Sequence, residues 1–281
     1  MIQTLKSEWL DLDVPGDGHY AAVADVHGRL DLLAPLLDEL DRDLPSGASL
    51  VMLGDLIDRG PRGVAAVDLV MGGVGVRRVL PIAGNHESML LHGLDGGGDL
   101  SDHALRLWYK HGGYAVVEEL DCDYDRDSIR AALGPERLGF LESMLPHHLA
   151  GGVLFAHAGL DPAIPLGEQL AQPVRDMATV DRDGEHASMR WVRDEWVGWP
   201  MQVEGDLLVV YGHTVQDTRM PLLTPCQAGI DLGAYLTGVL CAAEVDHGRI
   251  RFRFAGEDLD PALADPLNYI REEVRARSMY I

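Results

Sequence analysis

Five short apolar runs in this sequence each end in a loop that combines glycine with Asp, Asn or His. The runs span residues 19–24, 50–53, 78–82, 152–155 and 207–211. Leucine and valine recur at helical spacing between the first three runs, and this alternation predicts an α/β fold. Because ligands bind at the carboxyl ends of strands in such folds, we expect the functional residues in these five loops.

The rest of the chain indicates helices in the middle and strands near the end. Residues 87–145 have a mostly helical pattern with a break at Gly96-Gly97-Gly98. Strand-like runs return at 227–230, 237–244 and 249–254. No fixed-period repeat and no Pro/Ser-rich linker divides the sequence. We therefore predict a single domain over residues 1–281, with a mostly helical insertion at about residues 87–150.

The charge balance excludes several classes of partner. The chain has 45 acidic and 23 basic residues, a formal net charge of −22, within an otherwise ordinary globular composition. A surface this acidic repels phosphate backbones and anionic lipids, so we expect neither nucleic acid nor membrane as a partner. A local group of arginines can still bind a phosphorylated substrate, because a cleft can carry a field opposite to that of the surface.

Cellular location is predicted from what the sequence lacks. The three cysteines form no C-x-x-C pair, the first nine residues do not resemble a signal peptide, and no apolar run approaches the ~18 residues of a membrane helix. We therefore expect a soluble, cytoplasmic protein of undetermined oligomeric state. Residues 267–280 have the pattern of an amphipathic helix, which we expect to dock on its own chain.

The five loops together supply oxygen and imidazole ligands of the kind that bind a metal. They are Asp25-Val26-His27-Gly28, Gly54-Asp55-Leu56-Ile57-Asp58-Arg59-Gly60, Gly84-Asn85-His86-Glu87, His157-Ala158-Gly159 and Gly212-His213-Thr214. A single Asp or His after a strand is usually a turn residue, but five such loops in succession indicate a shared site. This mixture of donors suits Mn, Fe or Zn better than Ca.

As an ordered set, the motifs Asp-x-His-Gly, Gly-Asp-x-x-Asp-Arg-Gly, Gly-Asn-His-Glu, His-Ala-Gly and Gly-His-Thr resemble the phosphoprotein phosphatase family of calcineurin-like metallophosphoesterases. Within that family the sequence is most similar to bacterial and bacteriophage serine/threonine protein phosphatases. The resemblance extends from about His19 to Glu244. It implies a four-layer fold, a central β-sandwich flanked by helices, and a centre of two divalent metal ions. Mn²⁺ is the expected metal, with Fe or Zn as alternatives.

The resemblance also implies a ligand for each coordination position. The first metal is expected at Asp25, His27 and Asp55, and the second at Asn85, His157 and His213. Two cations a few ångströms apart need a shared anion between them, and Asp55 is the expected bridge. The metals of this family bind the phosphate and generate a bridging hydroxide that attacks phosphorus directly.

The same resemblance assigns the groups that act on the phosphate and on the leaving oxygen. His86 is the expected general acid, and Asp58 holds its imidazolium. Arg59 is expected to bind the phosphate with a bidentate fork. The second phosphate-binding arginine is expected at Arg193, in a Trp-x-Arg segment, with Arg190 as the rival.

Several residues outside these assignments are predicted to have structural roles. Trp191, Trp196 and Trp199 are expected to pack the segment that carries Arg193 onto the core. Asp231 lies in a stretch that matches the family's closing loop less well, because Leu232 replaces Thr, and it is expected to be structural. Histidines outside the five loops, among them His111, are expected to be surface or capping residues.

Three functions follow from this resemblance. The first is hydrolysis of phosphoserine and phosphothreonine in a phosphorylated protein or peptide. The second is hydrolysis of diadenosine tetraphosphate, in the symmetrical manner, or of small phosphoesters at the same centre. Asp58-Arg59-Gly60 and Glu87 favour the protein phosphatases, because the symmetrical hydrolases typically have Ala-Arg-Gly and Gly-Asn-His-Asp. The third, a non-catalytic phosphate-binding scaffold, is disfavoured because every expected ligand is present.

Overall fold

The computed structural model describes residues 1–12, 18–75, 77–172, 188–193, 196–197, 207–216 and 219–270. The strands are β1 Gln3–Lys6, β2 Leu10–Asp11, β3 His19–Val23, β4 Ser49–Met52, β5 Arg78–Pro81, β6 His147–Ala150, β7 Val153–Ala156, β8 Leu208–Tyr211, β9 Leu222–Leu223, β10 Gln227–Gly229, β11 Val239–Asp246 and β12 Arg249–Gly256. The helices are α1 Leu30–Asp43, α2 Gly63–Met71, α3 Asn85–Leu94, α4 Asp99–Trp108, α5 Tyr114–Leu120, α6 Arg126–Ser143, α7 Leu166–Leu170 and α8 Ala234–Thr237. A turn, Tyr109–Gly113, joins α4 to α5, and the chain kinks within it at Gly112, whose φ is 107°.

The strands form two sheets whose parallel segments have their carboxyl ends at one edge. The first sheet has the order β1-β12-β11-β3-β4-β5, and β2 also pairs with β12. The second has the order β6-β7-β8-β10-β9. Strands β3, β4 and β5 are parallel, and so are β7, β8 and β10. The loops that follow neighbouring parallel strands therefore emerge side by side.

Apolar residues on both faces of each sheet produce four layers. On β3, Val23 packs against the helices, whereas its neighbour Ala22 faces the second sheet and shares a core with Phe155. On the far side of the second sheet, Tyr211 packs against Trp196. The order of layers is thus helices, sheet, sheet, and an outer layer that includes α7 and Trp196. The predicted α/β fold with a central β-sandwich flanked by helices is confirmed.

A buried network of charged residues ties β11 to its neighbours. The carboxylate of Glu244 accepts hydrogen bonds from His19 (2.7 Å), Arg251 (2.7 Å) and Arg253 (2.8 Å). Arg253 in turn donates to Glu39 of α1 at 2.9 Å. Burial raises the pKa of Glu244, but these hydrogen bonds outweigh it and bring the pKa to about 2. Such a network stabilises the fold only while the carboxylate is ionised.

The predicted elements and the observed ones differ mainly at their ends and at the edges of the sheets. The predicted helical insertion contains α3 to α6, but its last part, His147–Ala150, is the edge strand β6, paired antiparallel with β7. Short edge strands such as β2 and β9 carry too few residues to show a period. Within the described residues, no helix has both the length and the apolarity that crossing a bilayer demands.

The described residues include only the beginning of the predicted C-terminal helix. Residues 271–280 of the predicted 267–280 helix lie outside the described residues. Its first residues belong instead to a 3₁₀ turn, Pro266–Tyr269, and Tyr269 packs edge-on against Phe252 with ring centroids 4.9 Å apart. Within the described residues, the tail contacts its own chain through Tyr269 and through Ile270, which forms a β-bridge with Leu223.

Candidate metal centre

The loops that follow β3, β4, β5, β7 and β8 meet at one edge of the sandwich. They bring together all six side chains predicted as metal ligands, and none is more than 5% exposed. These residues are Asp25, His27, Asp55, Asn85, His157 and His213. Carboxylates and imidazoles this deeply buried need a compensating partner, because burial disfavours any unpaired polar group.

The backbone of these loops is unusual for residues other than glycine. Among the described residues, eight non-glycine residues have positive φ, and five of them belong to the predicted site. The five are His27 (45°), Asp55 (49°), Asp58 (71°), Arg59 (67°) and His213 (62°). Such conformations cost free energy and cluster at functional sites, where the surrounding structure holds them in place.

Asp55 lies between two groups of potential ligands. Its Oδ2 is 3.4 Å from Nε2 of His27 and 3.7 Å from Nε2 of His86, and its Oδ1 is 3.5 Å from Nε2 of His157. Donor atoms of His27, Asp55 and His86 lie within 4.8 Å of one another, and so do those of Asp55, His157 and His213. A carboxylate shared by two such groups has the position required of a bridging ligand.

Unshared electron pairs face one another in the second group. The Nδ1–H of His157 donates to the carbonyl oxygen of Leu53 at 2.7 Å, which leaves the lone pair on Nε2. Burial, with Arg193 and Arg190 nearby, lowers the pKa of His157 to about 3, so the ring is neutral at pH 7. Its Nε2 nevertheless lies 2.9 Å from Oδ1 of Asn85. Two acceptors at this distance call for a cation between them.

The first group shows the same arrangement. The Nδ1–H of His27 donates to the carbonyl oxygen of Ile57 at 3.0 Å, so its Nε2 lone pair faces the carboxylate of Asp55. Burial lowers the pKa of His27 and raises that of Asp55. Neutral imidazoles and clustered oxygens are the donors that divalent transition metals prefer. The residues present therefore fit two divalent metal ions.

Asp25 takes a different position from the other predicted ligands. Both of its carboxylate oxygens accept the backbone N–H of His213, each at 3.0 Å, and it belongs to neither close group. Burial, followed by the charges of Asp231 and Asp55, raises the pKa of Asp25. Burial also raises the pKa of Asp231 to about 6. This residue, expected to be structural, is near enough to Asp25 for its charge to raise the pKa of Asp25. Ligation by Asp25 stays a prediction.

The predicted acid and its carboxylate are in direct contact. Nδ1 of His86 is 2.6 Å from Oδ2 of Asp58, and neither residue is exposed. The other oxygen, Oδ1, accepts the indole N–H of Trp108 at 2.9 Å. On the opposite side of the ring, Nε2 of His86 accepts a hydrogen bond from Nη2 of Arg59 at 3.1 Å. The imidazole is thus held from both sides.

The two predicted phosphate-binding arginines approach the centre from different sides. The guanidinium of Arg59 stacks on the ring of Tyr235, 4.5 Å from its centroid. Arg193 is exposed, and its Nη1 donates to the carbonyl oxygen of His213 at 3.4 Å. Its rival Arg190 is only 1% exposed. The exposed position at the rim favours Arg193 as the residue that a substrate reaches.

A comparison with protein families bears on this site. The model of the calcineurin-like phosphoesterases matches residues 18–220, a span that contains all five loops. The chain belongs to the calcineurin-like phosphoesterase family. This match confirms the family predicted from the ordered motifs, and it identifies the chain as a metallophosphoesterase.

The individual relatives have low sequence identity to this chain. The asymmetrical bis(5'-nucleosyl)-tetraphosphatase PrpE of Halalkalibacterium halodurans is 26% identical over 240 residues, covering 78% of this chain and 87% of that protein. The PrpE of Bacillus subtilis is 28% identical over 230 residues, covering 78% and 89%. The structure of a cold-active protein-tyrosine phosphatase from Shewanella superposes with a TM-score of 0.56 at 19% identity, covering 84% of this chain and 78% of that one. This last likeness shows the fold alone.

Glu87 has a role that sequence reasoning did not assign within this phosphoesterase. Its Oε2 accepts the backbone N–H groups of Gly84 and Asp55, both at 2.9 Å. Its Oε1 accepts those of Leu56 at 2.8 Å and Ile57 at 3.4 Å. Glu87 therefore holds the loop of the bridging residue in place. It does so from inside the protein, so its presence says little about which substrate the enzyme takes.

The helical insertion supplies the other contacts that the sequence did not reveal. Trp108 reaches Asp58, and the carbonyl oxygen of Gly112 accepts the backbone N–H of Arg59 at 3.1 Å. His111 caps a carbonyl at Leu107 as predicted, but its ring centroid also lies 6.2 Å from that of His86. No strand precedes these residues, so the strand-end signal could not find them. Trp196 is buried as predicted, whereas Trp199 lies outside the described residues.

Proposed function

We propose that this metallophosphoesterase hydrolyses alkyl phosphate monoesters, and that its substrates are phosphoserine and phosphothreonine in proteins or peptides. The observation that carries the proposal is the pair of His86 and Asp58, 2.6 Å apart and fully buried beside Asp55. An alkoxide is a poor leaving group and needs a proton as it departs. A histidine held by a carboxylate is suited to deliver that proton.

Metal binding and phosphate binding are assigned to named residues of the centre. Asp25, His27, Asp55, Asn85, His157 and His213 would hold two divalent metals, with Asp55 shared. When bound, the metals neutralise phosphate charge and activate water, and we expect Mn²⁺, with Fe or Zn as alternatives. Arg59 and Arg193 bind the phosphate oxygens through planar guanidinium groups.

Proton transfer is assigned to His86. A phosphate competes for the guanidinium of Arg59, which now donates to Nε2 of His86, and this frees Nε2 to face the leaving oxygen. The freed Nε2 takes up a proton from the monoanion of the bound phosphate ester, and Asp58 stabilises the imidazolium that forms. Nε2 then gives this proton to the leaving oxygen.

The charge of the chain supports a peptide with basic residues. With a net charge of −22, the surface attracts cationic segments and repels polyanions before they reach the centre. A phosphoserine flanked by Arg or Lys fits this charge distribution. Its basic flanks are attracted by the acidic surface, and its phosphate binds Arg59 and Arg193. We therefore expect basic phosphopeptides to be better substrates than acidic ones.

A second candidate is hydrolysis of dinucleoside tetraphosphates. It is favoured by the relatives named asymmetrical bis(5'-nucleosyl)-tetraphosphatase, which align with 78% of this chain. In that reaction the leaving group is itself a nucleotide phosphate, which departs without a proton. His86 would therefore contribute less to that reaction than to hydrolysis of an alkyl phosphate.

One experiment separates the two candidates. Chelated protein is given back Mn²⁺, and kcat/KM is measured for a basic phosphoserine peptide, its acidic counterpart and diadenosine tetraphosphate. We expect the basic peptide to be the best substrate and His86→Asn to lower its kcat by roughly 10²–10⁴. A higher kcat/KM for diadenosine tetraphosphate, with little effect of His86→Asn, would establish the second candidate. Full turnover in excess chelator would contradict both.

A further inference from the structure

We propose that Trp108 is a positioning residue for the acid, and that the helical insertion thereby completes the leaving-group side of the site. This inference rests on the proposed function, because it assigns Trp108 to the step in which His86 protonates an alkoxide. The insertion would then act through Asp58 rather than by touching the substrate.

The first observation is how the two oxygens of Asp58 are shared. Oδ2 faces Nδ1 of His86 at 2.6 Å, and Oδ1 accepts the indole N–H of Trp108 at 2.9 Å. All three residues have zero exposure, so water cannot replace the indole as a donor. Trp108 therefore fixes the rotation of the carboxylate, and this rotation directs Oδ2 at the imidazole. A carboxylate with one partner only would be free to turn away.

The second observation is that the backbone at Asp58 needs support. Asp58 and Arg59 both have positive φ, at 71° and 67°, a conformation that non-glycine residues adopt only when neighbours hold it. The carbonyl oxygen of Gly112 supplies such a hold by accepting the N–H of Arg59 at 3.1 Å. Gly112 lies in the turn Tyr109–Gly113, which begins directly after Trp108. Gly112 itself has a φ of 107°, which interrupts the helix there and which glycine adopts without strain.

The third observation is how closely this turn packs against the loop. A Cβ atom at Gly112 would lie 2.9 Å from Cγ of Arg59, and one at Gly113 would lie 2.3 Å from the ring of Trp108. The two glycines thus let the turn approach both Arg59 and the indole. One short segment, residues 108–113, therefore holds both Asp58, through the side chain of Trp108, and Arg59, through the backbone of Gly112.

A purely structural role for Trp108 predicts a different outcome from a positioning role. Loss of a buried ring weakens the fold and lowers turnover for every substrate alike. Loss of the indole N–H alone weakens the acid, so it slows only substrates whose leaving group needs a proton. An aryl phosphate does not need one, because a phenolate departs with little help. The ratio of the two rates therefore reports on positioning.

The test is Trp108→Phe, which keeps an aromatic ring and removes the N–H. We expect kcat for a phosphoserine peptide to fall about tenfold to a hundredfold, the effect of losing one hydrogen bond to a charged group. We expect kcat for p-nitrophenyl phosphate to change less than about threefold, with metal content unchanged. Equal losses on both substrates would overturn the proposal.

Trp196→Phe is the matched control. Trp196 is equally buried but lies on the outer face of the second sheet, against Tyr211 and next to the loop that carries His157. Whatever it does to stability or to the metals, its effect should be equal on the two substrates. A shift in the ratio as large as that of Trp108→Phe would show that the ratio does not isolate the acid, and would remove the kinetic support.

A spectroscopic measurement keeps the proposal testable if Trp108→Phe does not fold. In protein labelled with ¹⁵N at the indoles, Asp58→Asn should shift the N–H resonance of Trp108 and leave those of the other tryptophans in place. An unmoved resonance would contradict the contact on which the proposal rests. This result does not depend on any substrate. By contrast, a phosphoserine rate that His86→Asn leaves unchanged would defeat the proposed function while the indole shift persisted.

Discussion

Glu87→Gln is the substitution that most directly tests how the metal-bridging loop is held. The carboxylate of Glu87 accepts four backbone N–H groups, two on each oxygen, from Gly84 and from residues 55–57. Gln keeps the shape of the side chain but has one accepting oxygen. Its NH₂ group would face two of the four N–H groups, donor against donor. The change therefore alters hydrogen bonding with almost no change in packing.

The magnitude follows from the number of donors left unpaired. Each buried donor without an acceptor costs about 1–3 kcal/mol, so two of them lower the free energy of unfolding by about 2–6 kcal/mol. The loop also carries Asp55, whose own N–H is one of the four. Once that N–H is released, metal affinity should fall about tenfold to a hundredfold, as for other residues that orient a metal ligand.

The assay is urea unfolding of the metal-free protein, followed by titration of Mn²⁺ into the folded variant. Glu118→Gln, an exposed position on α5, is the control and should change the free energy of unfolding by less than about 0.5 kcal/mol. If Glu87→Gln were as stable as the control and bound metal normally, Glu87 would not be the residue that holds the loop. A loss of stability with unchanged metal affinity would show that Glu87 stabilises the fold without orienting Asp55 towards the metals.

Three further outcomes are expected. Asp55→Asn should remove both metals in elemental analysis, whereas retention of two would place the bridge elsewhere. Arg59→Lys and Arg193→Lys should both raise KM, because an ammonium lacks the planar fork; unchanged kinetics for Arg193→Ala would transfer its role to Arg190. In urea titrations of metal-free protein, stability should fall between pH 4.5, the ordinary pKa of Glu244, and about 2, its pKa in the fold. In this pH range the unfolded chain binds one proton more than the folded chain. Glu244→Gln should therefore remove about 3 kcal/mol of the change in the free energy of unfolding with pH.

The strand-end loops could be predicted because their signal is local. A run such as 50–53 followed at once by glycine and Asp55 shows both the strand and its functional end within a few residues. The structure accordingly brings the loops of five separate strands to one edge. The assignment of substrate from Glu87 was weaker, because a residue type says nothing about which way a buried carboxylate points. Glu87 proves to bind backbone N–H groups instead.

By itself, the sequence determined the fold class, the family and the residue types available to the centre, because strand period, glycine placement and motif order are properties of neighbouring residues. Only the tertiary structure decided which atoms meet. It put Asp55 between His27 and His157, turned Asp25 towards the backbone of His213, and carried Trp108 from a helix 50 positions away to the carboxylate of Asp58. Such contacts depend on how separate layers pack, and no local pattern in the chain encodes the distance between them.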